Sequence, residues 1–132
     1  MFFFTSDLHF GMNPTGDRAI ERLAKRLDKA TKDDALIICG DIGCNNASIL
    51  ACLKLFEDFP GFKMAIAGNH DVWVNPDEDS WKRYRGLSDL FRSAEFYPLE
   101  DEPVVVCGFA FVGSLGWYDY SFRDDISIPL ID

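Results

Sequence analysis

Apolar and polar residues follow one another along this chain in two distinct rhythms. Short apolar runs stand at Phe2-Phe3-Phe4, at Ala35-Leu36-Ile37-Ile38-Cys39 and at Met64-Ala65-Ile66-Ala67. Unbroken runs of this length predict strands buried on both faces of a sheet. Between the runs, apolar positions recur at helical spacing. Ile20, Leu23, Ala24 and Leu27 predict a helix over residues 17 to about 30, capped by Asp17 after the loop Gly11-Met12-Asn13-Pro14-Thr15-Gly16. Ile49, Leu50, Leu53 and Phe56 predict a second, from near Asn46 to the stop at Pro60-Gly61. Trp81, Tyr84, Leu87, Leu90 and Phe91 predict a third, between Asp79 and Ala94. The rhythm then changes: residues 103–107 and 109–113 read as two strands parted by Gly108, an antiparallel pair.

Alternating strands and helices imply an α/β fold with a largely parallel sheet, right-handed crossovers and an antiparallel extension. There is no repeat, low-complexity segment or linker, so residues 1–132 are expected to form a single domain. The 48% hydrophobic content is enough for a packed core and excludes a disordered chain. Thirteen basic against 22 acidic residues give a formal charge of −9. That balance argues against a duplex nucleic-acid partner and against an anionic membrane surface. No apolar run approaches the roughly 18 residues of a membrane span. Met1-Phe2-Phe3-Phe4 has no basic flank and meets Asp7 at once, so it is not expected to be a secretion signal. The four cysteines, Cys39, Cys44, Cys52 and Cys107, form no C-x-x-C pair. They are expected to be reduced, mostly buried thiols of a cytoplasmic protein, with Cys44, in a loop, the best placed to react.

Parallel sheets gather ligands at the carboxyl ends of their strands. The first run is followed by Asp7-Leu8-His9, the second by Gly40-Asp41 and the third by Gly68-Asn69-His70-Asp71. Each interval is roughly 30 residues, one strand-helix-strand unit, so Asp7, His9, Asp41, Asn69 and His70 should share one sheet edge. Carboxylate, amide and imidazole donors together suit manganese, iron or zinc. Magnesium or calcium would favour an all-oxygen set. Asp-x-His and Gly-Asp are each ordinary turn chemistry when met singly. The specific signal is the constellation.

These motifs, in this order and at these distances, resemble the calcineurin-like metallophosphoesterases. The resemblance covers nearly the whole chain, including Gly113-Ser114-Leu115-Gly116-Trp117-Tyr118. It implies the first half of an α/β/β/α sandwich and an enzyme hydrolysing phosphoric esters, a phosphomonoesterase or diesterase. By the same resemblance, Asp7 and His9 would bind one metal ion, Asp41 would bridge two, and Asn69 would bind the second and contact the phosphate. The pair would be divalent or trivalent, with manganese first and iron or zinc as alternatives. His70 would also contact the phosphate and protonate the leaving oxygen, with Asp71 fixing its ring. The chemistry is coherent. A bridging carboxylate can hold two cations about 3.5–4 Å apart with a hydroxide between them, formed at neutral pH because coordination acidifies water. The cations offset phosphoryl charge inside an acidic protein, and a general acid contributes roughly a hundred- to ten-thousand-fold.

Other residues read as structural. Trp73 and Trp117 suit buried packing, Arg18 a solvated helix position, and Glu100-Asp101-Glu102 a solvated turn before Pro103. Lys82, Arg83 and Arg85 suit a helix surface. The family pattern departs in two places. Gly43 and Cys44 stand where many relatives carry another acid, and no histidine follows His70, although relatives continue to a Gly-His-x-His segment. Together with the ending Ile128-Pro129-Leu130-Ile131-Asp132, this predicts the amino-terminal part of a longer phosphoesterase, inactive or impaired alone. Such a half would leave a sheet face or edge uncovered and open to self-association. Two alternatives stand beside the hydrolase: a non-catalytic module holding one metal ion or a phosphate, and a doubly wound nucleotide-binding domain. The last lacks a G-x-G-x-x-G or G-x-x-x-x-G-K-[ST] segment after any strand.

Overall fold

The computed structural model describes residues 1–116. Three parallel strands, β1 (Phe2–Thr5), β2 (Ala35–Cys39) and β3 (Phe62–Ile66), form where the unbroken apolar runs stand. Their register sets Phe4 against Ile37 and Ile37 against Met64, so the three strands end at one level. Helices α1 (Pro14–Leu27) and α2 (Asn46–Lys54) make the crossovers. A single helical turn, α3 (Asn69–Val72), follows β3 directly, and α4 (Ser80–Ser93) returns the chain to β4 (Tyr97–Pro98), a fourth parallel strand on β3. The sheet order is β1-β2-β3-β4.

Strand alternation divides the core in two. On one face Leu36, Ile38 and Ala65 pack under the helices against Ile20, Ile49, Leu53, Phe56 and Phe91. On the other, Ala35, Ile37 and Met64 pack with Leu99 and Val106. Val106 belongs to β5 (Val104–Val106), which pairs antiparallel with β6 (Phe109–Phe111) through the two-residue turn Cys107-Gly108. The antiparallel pair is thus a separate two-stranded sheet laid over the second face. It leaves part of that side open, with Phe4, Val105, Phe109 and Val112 largely exposed.

The structure corrects several expectations. Helix α1 begins three residues earlier than Asp17, because the Asn13 side chain accepts from the Thr15 and Gly16 N–H groups and Pro14 needs no partner. Asp17 instead accepts from Gly11 N–H. Helix α2 stops at Lys54, and the chain tightens into i→i+3 turns that carry Phe56 into the core. Among the cysteines only Cys52 is buried; Cys39, Cys44 and Cys107 are exposed at element ends and turns. No helix among the described residues is long and apolar enough to cross a membrane. Trp117, Tyr118 and the ending at 128–132 lie outside the described residues.

Candidate metal centre

Past the ends of β1 and β2 the two segments stay paired. Asp7 N–H donates to Gly40 O, His9 N–H to Asp41 O and Phe10 N–H to Ile42 O. This pairing forces three non-glycine residues, Asp7, His9 and Asp41, into left-handed backbone at φ 55°, 45° and 53°. Asp and His tolerate that region better than most residues, and each such position still costs on the order of 1 kcal/mol. The backbone turn swings their side chains together at the sheet edge.

The third segment closes from β3. Gly40, at φ 85°, lies so near Gly68 that a Cβ on it would stand 2.7 Å from the Gly68 backbone. A Cβ on Gly68 would stand 2.2 Å from Asp41 Oδ1. Two glycines therefore let the motif loops touch. Asp41 Oδ1 accepts from His70 N–H at 2.9 Å, at the start of α3. That bond leaves Oδ2 free, 4.0 Å from His9 Nε2.

His9, Asp41 and His70 each offer a donor atom, and the three atoms lie within 4.8 Å of one another. The two imidazole rings meet edge to face at 4.6 Å between centroids. His9 Nδ1 is buried without a hydrogen-bond partner among the described residues. Two imidazoles and a carboxylate with donor atoms this close fit a transition-series cation. The Asp7 carboxylate is not part of this trio. Asp7 and Asn69 line, with Asp41, a neighbouring cavity of about 440 Å³ that runs under Phe111 to Gly116. The edge thus gathers all five predicted residues, split between a tight trio and a cavity wall.

Asp71 departs from the role expected of it. Its Oδ1 accepts from Ile42 and Gly43 N–H at 2.9 and 3.0 Å, and Oδ2 from Gly68 N–H at 2.9 Å. Both oxygens are engaged by backbone, and no hydrogen bond joins Asp71 to the His70 ring among the described residues. Asp71 ties the second motif loop to the third from a fully buried position. Burial pushes its carboxyl above the ordinary range and the Asp41 charge adds to this, while the three N–H bonds oppose both. The His70 ring instead rests on Trp73, 3.9 Å between centroids, and Trp73 is half-exposed rather than packed into the core.

A family model for calcineurin-like phosphoesterases matches residues 1–127. The chain belongs to that family. Its fold is also that of a phosphopantetheinyl hydrolase from Mycobacterium tuberculosis, at 25% identity and a TM-score of 0.74. The likeness covers 97% of this chain and 46% of the hydrolase chain. No curated protein sequence matches it. Within this phosphoesterase fold, two residues serve the site without a sequence signal. Arg83, expected on a helix surface, reaches back from α4 to donate through Nε to Asp71 O at 2.6 Å. Glu100, expected in a solvated turn, accepts from Tyr84 OH and from Leu115 N–H. All three bonds join residues remote along the chain, which no periodicity encodes. Among the described residues Arg18 bonds only Thr15, on the surface of α1.

Proposed function

We propose that this chain carries the site of a metal-dependent hydrolase of phosphoric mono- or diesters. The observation that carries the reading is the meeting of the His9, Asp41 and His70 donor atoms at the carboxyl ends of parallel strands. The nitrogen-oxygen donor mixture favours manganese, with iron or zinc as alternatives. Bound cations would supply positive charge to the phosphoryl oxygens and acidify a water at neutral pH. Asp7, His9, Asp41 and Asn69 would hold them, and the His70 N–H on Oδ1 orients Asp41 for this. Asn69 presents its amide to the phosphate from the cavity wall. His70, steadied by Trp73, passes a proton to the departing oxygen. The substrate is a phosphate ester, and the four free thiols suit a reducing compartment such as the cytoplasm.

The test is hydrolysis of phenyl phosphate and bis(4-nitrophenyl) phosphate with manganese, after chelation, and in Asp41→Asn. Chelation and the substitution should each lower the rate by on the order of a hundredfold or more. Rates unchanged by both would overturn the reading. A second reading, a module that holds one ion without turnover, is favoured by the trio's not including the Asp7 carboxylate. It expects calorimetric titration to give about one manganese per chain and no hydrolysis.

A further inference from the structure

Beside the metal centre lies a larger cavity, about 680 Å³, between α3 and the start of α4. Its walls are Val72, Trp73, Trp81 and Tyr84 on one side and Ser114 and Leu115 on the other. This volume lies within the range of small-molecule sites. Among the described residues no charged side chain lines the cavity. Trp73 is 53% and Trp81 68% exposed, unusual for the largest apolar side chain, and Trp81 stands edge to face with Tyr84 at 5.9 Å.

Two features join this cavity to the centre. Ser114 to Gly116 form a wall common to it and to the cavity holding Asp7, Asp41 and Asn69. Trp73 belongs to the aromatic side and lies against the His70 ring. Glu100 holds the two sides in register, since one oxygen accepts from both Tyr84 OH and Leu115 N–H. That bond also occupies the Tyr84 hydroxyl. The polar side-chain groups left to an occupant are uncharged: the Ser80 and Ser114 hydroxyls and the indole N–H groups of Trp73 and Trp81.

Building on the phosphoesterase reading above, we propose that this cavity receives the alcohol portion of the ester, and that this portion carries a flat, uncharged aromatic ring. A phosphate at the metal centre places its ester oxygen near His70, and Trp73 leads from there into the cavity. Rings stack on Trp and Tyr faces, whereas an anionic or strongly polar alcohol would lose hydration with no charge to meet it. Trp81 is a specificity-determining residue for the reaction.

Phenylphosphonate and methylphosphonate cannot be hydrolysed and differ only in the ring. Calorimetric titration of each, with manganese present, should show the phenyl compound binding about tenfold more tightly. Trp81→Ala should bring the ratio to within about twofold, and Trp81→Phe should keep most of it. Because Trp81 is largely exposed, its removal leaves the core intact. Equal affinities in the unaltered protein, or a preference untouched by Trp81→Ala, would overturn the inference and leave the phosphoesterase reading standing. Failure of both phosphonates to bind would overturn both.

Discussion

A methyl group added to Gly68 would stand 2.2 Å from Asp41 Oδ1 and 2.3 Å from Asp41 N. Gly68→Ala must push Asp41 away, at a cost of about 1–3 kcal/mol for overpacking. We expect a lower melting temperature by circular dichroism and at least tenfold weaker manganese binding by calorimetry. Unchanged affinity would mean that Asp41 is not a ligand. Cysteine chemistry divides at the same scale. Burial, with the charges of Asp71 and Asp17 behind it, pushes the Cys52 thiol up to about 12. At pH 8 it is therefore thiolate in only about one molecule in 10⁴ and is shielded as well. Iodoacetamide followed by peptide mass mapping should leave Cys52 unlabelled in the native protein, while exposed Cys44 and Cys107 react. Burial also raises the Cys39 thiol, so Cys39 should lag behind them despite its exposure. Early labelling of Cys52 would contradict its place in the core.

At the scale of elements, legibility follows length and burial. Strand β2 is buried on both faces and reads as an unbroken apolar run, β1 reads the same way, and β3 is offset from its run of 64–67 because it starts at Phe62 and buries Lys63. Their ends located the site because ligand loops follow them. Strand β4 is two residues long and contains Pro98, too short to show a period. Helix α3 is one turn built from the Gly68-Asn69-His70-Asp71 motif itself, so the motif masks the helix. Arg83 acts through one bond across space and Glu100 through two, and such bonds leave no pattern in a sequence. Asp71 matters at this scale because it joins the loop after β2 to the turn after β3. Asparagine offers one acceptor oxygen in place of two, so Asp71→Asn leaves a buried N–H without a partner and costs about 1–3 kcal/mol. The pH dependence should change too. A carboxyl raised in the folded state gives stability that is complete below the ordinary carboxylate range and is lost as pH rises through the raised value. Urea midpoints measured from pH 4 upward should therefore fall less steeply in Asp71→Asn than in the unaltered protein. Parallel slopes would show that Asp71 titrates alike in both states.

For the whole molecule, the helix side is sealed and the hairpin side is not. Phe4, Val105, Phe109 and Val112 are all more than 60% exposed there, and β1 has no outer partner strand among the described residues. We expect reversible self-association through this side, despite a net charge of −9 that opposes it. Sedimentation velocity over a tenfold concentration range should show the sedimentation coefficient rising. Val105→Glu with Val112→Glu should abolish the rise without lowering the melting temperature. A concentration-independent monomer would refute it. The left-handed residues at the sheet edge bear on the molecule in another way. Asp7, His9 and Asp41 sit where glycine is at ease and other residues are strained. A library sorted for heat resistance alone would therefore drift toward glycine at all three positions, gaining on the order of 1 kcal/mol each time. Its best survivors would be hardy and unable to hold an ion. Any engineering of this fold for robustness needs a second sieve, applied in every round, that retains metal capture.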